Sequence, residues 1–339
     1  MTKVRLVLHG LPWQRRGIKR NHFHIDSLQI VKGLSHVLAK YDVVLVDQYG
    51  VLHNGTQPMI GAVDCFNRMV EAGKRVVLVS NTANRSSRLP TKLGAMGFST
   101  DFQGVTGGDV CHEYVKERRT THSRCSVMAH DLANMISKAN VDSIFNGLDV
   151  EIVGLDQAQF LMVEGVRQVC YSDRVAEALA TDYRHTNTPN DAINEFLRGG
   201  LERKLPLLCP NADAVGVVEN DRFVYMGGGI AKLYEEMGGE VVCFGKPAKE
   251  HFEACLRLAH VTDKAKVVHI GDSLHHDIQG AKNVGIDSVL IAGGVHAKQL
   301  EVDAWSNAEE DLHINAEVLD RLLGNTQLDP TYTATRFQW

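Results

Sequence analysis

The chain lacks any apolar stretch approaching the roughly 20 residues a membrane-spanning helix needs, so a soluble protein is expected. A basic surplus is missing as well. The 36 Lys and Arg face 41 Asp and Glu, for a formal charge of −5, which leaves nothing to neutralise a nucleic-acid backbone or an anionic membrane surface. Nucleic acid and membranes are thereby set aside as partners, and a small molecule becomes the expected one. Self-association is left open. The seven cysteines, at 65, 111, 125, 170, 209, 243 and 255, contain no C-x-x-C pair. They imply neither a zinc site nor a disulfide framework and read as reduced thiols of a cytosol-like compartment. Low-complexity tracts and internal repeats are absent too. What remains is 339 residues, 44% hydrophobic and 23% charged, an ordinary globular composition long enough for two domains.

The first 25 residues carry Lys3, Arg5, Arg15, Arg16, Lys19 and Arg20 and no acid before Asp26. Organelle transit peptides share that bias, but a basic surface arm is its commoner source, and a cytoplasmic location is the expectation. After Asp26 and Ser27, either able to cap a helix, SLQIVKGLSHVLAKY carries apolar residues at helical spacing. Then strand and helix patterns alternate. VVLV (43–46), RVVLVS (75–80), GVTGG (104–108), EVVCFG (240–245), AKVVHIG (265–271) and DSVLIAGG (287–294) are strand-like, with helical patterns such as AKEHFEACLRLAH between them. Such alternation predicts an α/β fold with a doubly wound parallel sheet. Residues 123–240 interrupt it with their own strand candidates, CSVMAH and AQFLMVEGV, and a helical NDAINEFLRGGLERK. That is enough material for a second, smaller α/β unit inserted in the first. The expected division is an arm and helix over 1–40, a core over 41–122 and 241–325, the insert over 123–240, and a tail over 326–339.

Asp47 follows VVLV, Ser80 follows a second VVLV, Lys246 follows VVCFG and Asp272 follows VVHIG. All four would surface at the carboxyl edge of one sheet, where helix amino ends gather and an anion is well received. Each residue has a plain explanation by itself: a turn aspartate, a helix cap, a loop cation, a capped helix start in GDSLHHD. Their conjunction, ending in Asp272 with Asp277 five residues on, argues for shared chemistry.

DQYGVLHNG, VLVSNTANRS, GKP and GDSLHHD resemble, in order, the four motifs of the haloacid dehalogenase (HAD) superfamily. The GVLHNG loop and the large insert between the second and third motifs resemble the NagD-like branch, whose fold is a Rossmann-like core with an inserted α/β cap. Its phosphatases act on small phosphorylated metabolites. The resemblance spans roughly residues 40–320. It implies that Asp47 is a nucleophile forming an aspartyl-phosphate, and that Ser80, Asn81 and Thr82 hydrogen-bond the phosphoryl group. Lys246 would neutralise charge on both. Mg²⁺ would be held by Asp47, Asp272 and the main-chain carbonyl of Tyr49, with Asp277 supporting the cluster. CPNADAV (209–215) resembles the branch's N-x-D loop, which makes Asp213 a substrate-facing or loop-fixing residue. The glycines at 227–229 would serve either a ligand or close packing.

Tyr49 departs from the pattern. The family's phosphatases usually have there a second aspartate, which protonates the leaving oxygen and then activates water. A phenol, with a reference pKa of about 10, is a poor base for water at neutral pH. Two rival readings follow: a phosphometabolite-binding protein with little turnover, and a 2-haloacid dehalogenase, whose loop also reads D-x-Y-G. GDSLHHD weighs against the second, since a dehalogenase has no need of a paired-acid Mg²⁺ site. His53, His275 and His276 lie in the catalytic loops with pKa values suited to compensate, although His276 is expected to face outward.

Overall fold

The computed structural model describes residues 29–171, 178–218, 222–306 and 312–339. The basic arm and the caps expected at Asp26 and Ser27 lie outside them. The strands, in chain order, begin with β1 (Ile30–Val31), β2 (Val43–Asp47), β3 (Arg75–Ser80) and β4 (Gln103–Thr106). The middle of the chain gives β5 (Arg124–Ala129), β6 (Glu151–Ile152), β7 (Phe160–Val163), β8 (Gln168–Cys170), β9 (Leu179–Ala180) and β10 (Leu207–Cys209). After them come β11 (Val215–Val218), β12 (Arg222–Tyr225), β13 (Val241–Cys243), β14 (Val267–Gly271), β15 (Asp287–Ile291) and β16 (Tyr332–Ala334).

One sheet has the order β1-β16-β15-β14-β2-β3-β4, and neighbouring strands in it all run parallel. Its central strands are apolar because both faces are covered. On one face Val44, Val46, Leu78, Val268 and Ile270 pack on Phe66 and Met69. On the other Val43, Leu45, Val77, Val79 and Val267 pack on Phe252 and Cys255. The period-two alternation along β2 thus splits its side chains between two layers of helix. Helix Ala62–Glu71 turns Ala62, Cys65, Phe66 and Met69 inward, the spacing of a single helical face, and full burial of a side chain such as Phe66 contributes about 2–3 kcal/mol. Helix Gly107–Glu117 starts at a capping box in which the Thr106 and Asp109 side chains each accept from the other's backbone N–H.

The second sheet has the order β13-β10-β7-β5-β8-β9, with β6 on β5. It is mixed: β8 runs antiparallel to β5 and to β9. Helix Asp191–Glu202, capped by Asn190, lays Ile193, Phe196 and Leu197 against one face. The fold is therefore α/β, a parallel core sheet carrying an inserted, mixed cap sheet.

Three local expectations change. VVC at 241–243, expected in the core sheet, pairs with β10 in the cap sheet, Cys209 opposite Cys243. An apolar run identifies a strand but not its partner, and the seats beside β14 are taken by β2 and β15. The helix expected to begin near residue 27 is a two-residue strand at 30–31 and a short helix, Ser35–Leu38. Pairing with β16 and the closeness of Gly33 to the Trp339 carbonyl, where a Cβ would stand at 2.5 Å, override the helical spacing. Residues 332–334, expected in a tail, form the strand between β15 and β1, with Phe337 buried beside it. The glycine run 226–239 opens helix Gly227–Glu236. Its first three residues serve close packing, since a Cβ on Gly228 would stand 2.2 Å from the Ala212 carbonyl oxygen.

Candidate active site

Asp47 ends β2, and Asp272 stands one residue beyond β14, whose Ile270 is paired with Val46. Both carboxylates therefore leave neighbouring strands at one edge. Ser80 ends β3 on the other side of β2. The chain reverses its direction of sheet growth at β2, so this edge is the crevice where open α/β sheets receive ligands. A wide helical turn, Leu274–Ile278, is capped by Ser273 Oγ accepting the His276 N–H and carries Asp277 back under the same edge. Carboxylate oxygens of Asp47, Asp272 and Asp277 all lie within 4.8 Å of one another, and all three residues are buried.

Two glycines make room for this crowding. A Cβ on Gly50 would stand 2.0 Å from Asp272 Oδ2, and one on Gly294 would stand 2.2 Å from it. Gly50 also has φ of +78°, a conformation that side chains resist. The Val295 N–H donates to Asp272 Oδ2 at 2.8 Å.

Lys246 reaches this cluster from the end of the cap strand β13. Its Nζ donates to Asp47 Oδ1 at 2.5 Å and to Asp277 Oδ1 at 2.8 Å. One cation thus serves two buried carboxylates, and they share it unequally. Asp277 also accepts from His269 Nε2 at 2.9 Å and from the Ser273 N–H at 3.0 Å. These partners outweigh the desolvation cost and hold Asp277 below the usual carboxylate range. Asp47 has fewer donors. Burial dominates, repulsion from Asp277 adds to it, and the acid is pushed up to about 7 despite the lysine. Burial, then the charges of Asp47 and Asp277, push Asp272 well up too. The two carboxylates whose pKa values are raised are short of positive charge, which a divalent cation with a preference for hard oxygen ligands would supply.

The remaining predicted residues divide. Ser80 and Thr82 are half-buried beside Asp47 at the β3 end, with the Thr82 N–H 3.3 Å from Ser80 Oγ. Asn81 is buried and its side chain is spent on structure. Its amide donates to Asp213 Oδ1 at 2.8 Å, and its oxygen accepts the Lys246 N–H at 2.7 Å. Asp213 follows β10 and so touches the core from the cap. His276, expected to face outward, is half-buried, with Nδ1 3.8 Å from Asp213 Oδ1. His275 is exposed. His53 is buried, its Nδ1 accepts from the Gly55 N–H at 3.0 Å, and burial lowers it to about 4. It is neutral and turned into its own loop. Tyr49 is 39% exposed, its ring edge-on to His53 and close to Gly55.

His269 and His251 escaped sequence reasoning. Both are fully buried behind the cluster, His269 on Asp277 and His251 one helix away. A histidine inside VVHIG reads as one polar interruption of a strand, and nothing in its spacing announces a partner eight residues on. On the cap edge that also carries Asp213, a cavity of about 370 Å³ is lined by His130, Asp131, Arg167 and Gln168.

Known proteins resemble this chain in sequence and in fold. Residues 44–142 match the family described as haloacid dehalogenase-like hydrolase, and residues 243–320 match the HAD-hydrolase-like family. A 4-nitrophenylphosphatase of Schizosaccharomyces pombe is 25% identical over 288 residues, covering 82% of this chain and 93% of that one. A glycerol-3-phosphate phosphatase of Gallus gallus is 25% identical over 276 residues, covering 76% and 82%. Among solved structures, a haloacid dehalogenase-like hydrolase from Brucella suis superposes with a TM-score of 0.65 at 24% identity, covering 84% of this chain and 97% of that one. A p-nitrophenyl phosphatase from Archaeoglobus fulgidus gives 0.61 at 20% identity, covering 88% and 97%. Among the described residues no helix is long and apolar enough to cross a membrane. Over these two segments the chain is similar to the haloacid dehalogenase-like hydrolases, and its fold is that of the HAD hydrolase and p-nitrophenyl phosphatase structures.

Proposed function

We propose that the protein hydrolyses small phosphate monoesters through an aspartyl-phosphate on Asp47, with Mg²⁺ as cofactor. The observation that carries this reading is the convergence of Asp47, Asp272 and Lys246 from three separate strand ends on one buried point. A structural ion pair needs two charges. Here a third and a fourth are buried with it, at a cost that only a ligand or a reaction repays.

In this reading a carboxylate oxygen of Asp47 attacks phosphorus, while the Lys246 ammonium offsets charge on both nucleophile and phosphoryl group. The Ser80 hydroxyl and the N–H groups of Asn81 and Thr82 donate to phosphoryl oxygens. The donor set fits Mg²⁺: Asp47 and Asp272 would hold it with the Tyr49 carbonyl, and Asp277, whose oxygens are already engaged by Lys246, His269 and Ser273, would support from behind. When bound, the ion supplies charge neutralisation and phosphoryl orientation. Asp213 places the cap loop against Asn81, where it borders the substrate space. Names such as 4-nitrophenylphosphatase and glycerol-3-phosphate phosphatase among the relatives support a small phosphorylated metabolite as substrate.

Tyr49 favours slow turnover within the same chemistry. No carboxylate stands at that position to protonate the leaving oxygen, and His53 is turned away. The test is phosphate release from p-nitrophenyl phosphate with Mg²⁺ and with chelator, beside a 2-haloacid control. Mg²⁺-dependent release that Asp47→Asn abolishes is expected, because an amide forms no acyl-phosphate. Release that survives the substitution, or halide release without metal, overturns the reading.

A further inference from the structure

We propose that Cys209 and Cys243 form a redox pair, which a hydroperoxide converts to a disulfide tying together the two cap strands that lead to Asp213 and Lys246. The formation of the bond is independent of the reaction proposed above; its effect on turnover rests on that reading.

The two residues are direct partners in the parallel pairing of β10 with β13. Neighbouring strands run about 4.8 Å apart, inside the range of roughly 4.4–6.8 Å between the Cα atoms of a disulfide. Partners in register point to the same side of a sheet, so the two thiols lie side by side on one face. Their exposure differs usefully. Cys243 is exposed and Cys209 is buried, so an oxidant meets one sulfur and finds the second waiting behind it. The neighbouring Cys209 thiol also lowers the Cys243 thiol, which favours its thiolate. The other five cysteines are buried, and burial pushes Cys65, Cys111, Cys125 and Cys255 up, away from reactivity.

The chemistry balances with hydrogen peroxide as oxidant. The Cys243 thiolate attacks one peroxide oxygen, the O–O bond breaks, and the departing hydroxide takes up the proton released when the thiol ionised. Cys243 is then a sulfenic acid. The Cys209 sulfur attacks the Cys243 sulfur, and its hydroxyl leaves with the Cys209 proton as water. Two thiols have lost two electrons and two protons, and the peroxide has become two waters.

The position of the bond gives it a consequence. Cys209 Sγ lies 3.0 Å from the Asn211 carbonyl oxygen, and Asn211 Oδ1 accepts the Asp213 N–H at 2.9 Å. Asp213 accepts from Asn81, whose oxygen accepts the Lys246 N–H. A disulfide removes the thiol proton from the start of this chain and draws the sulfur toward Cys243, only three residues before Lys246. The cap loop and the lysine are then restrained from the same point.

The full chain is treated with stoichiometric hydrogen peroxide, and its peptides are mapped without reduction. Turnover of p-nitrophenyl phosphate is followed in parallel. The expected result is a peptide carrying Cys209 joined to one carrying Cys243, a loss of turnover, and recovery of both thiols and rate with dithiothreitol. Cys243→Ser, a change at an exposed site, is expected to show neither the link nor the loss. Oxidation of Cys243 to sulfinic acid with no joined peptide overturns the pair. A joined peptide with unchanged turnover overturns its regulatory effect. A reduced chain that never releases phosphate overturns the phosphatase reading instead, and the peptide map still decides the pair.

Discussion

Lys246 Nζ stands 2.5 Å from Asp47 Oδ1, and the same nitrogen is held from behind by Asp277 at 2.8 Å. The lysine is 4% exposed, so both pairings are made out of water. Breaking a buried pair from one side is costly, about 3–5 kcal/mol, because the stranded charge has no solvent to turn to. Lys246→Met therefore strands two carboxylates. Lower thermal stability in chelator and loss of phosphate release by at least about 10²-fold are expected, the latter because an electrostatic clamp of this kind is usually worth that much. Calorimetry and a p-nitrophenyl phosphate assay measure the two effects.

A pH dependence follows from Asp47. Its folded value, about 7, lies above the ordinary 3.8. Asp47 thus favours the folded state fully below its ordinary value, and that contribution is lost as pH rises through about 7. Asp272 is shifted in the same direction, whereas Asp277, held low, contributes above the ordinary range and loses its part only in acid. In chelator, the melting temperature is expected to fall as pH rises through neutrality. Mg²⁺ removes that fall by pairing with the ionised acids, and Asp47→Asn weakens it. Melting curves across pH, with and without the metal, check all three.

In the proposed reaction Tyr49 stands where a general acid/base would act. Groups in that role contribute about 10² to 10⁴ in rate. Aryl and acyl phosphates, whose leaving groups need no proton, are expected to outrun alkyl phosphates, and rapid mixing should show a burst of alcohol before slower turnover. The ring lies at a half-open edge beside Gly55, so Tyr49→Asp is accommodated there. It is expected to raise the steady rate most for alkyl phosphates and to shrink the burst. No gain on any ester in a variant that folds and binds Mg²⁺ counts against this role.

His269 orients Asp277, and through it Lys246. Its Nε2 donates to Asp277 Oδ1, and burial keeps the ring neutral by lowering its proton affinity. A hydrogen bond to a charged group is worth about 1.5–3 kcal/mol. His269→Leu is expected to lower stability by that amount and to raise the Mg²⁺ concentration needed for half-maximal rate. His269→Gln keeps an N–H donor and should recover part of both. Titration of the rate with Mg²⁺ separates this positioning effect from simple loss of packing.

The sequence by itself determined the strand-ending residues of the site. Asp47, Ser80 and Asp272 were legible because a buried parallel strand must be almost wholly apolar, so a polar residue at its carboxyl end stands out and its address is known. The helix faces were legible for a similar reason: Ala62, Cys65, Phe66 and Met69 recur at the period of a helix whatever they pack against. Only the tertiary structure decided which strand lies beside which. β13 and β16 are short, and hydrogen bonds between strands carry no mark in the sequence of the partner they choose. That is why 241–243 went to the cap and 332–334 to the core. The same limit hid the groups that act across elements. Asn81 looks like a phosphate ligand in its loop, yet its side chain joins Asp213 to Lys246, residues 132 and 165 positions away. His269 looks like a polar flaw in a strand until the following turn folds Asp277 back onto it. Short-range periodicity follows from covalent geometry and burial; long-range pairing follows from packing, and packing exists only once the chain is folded.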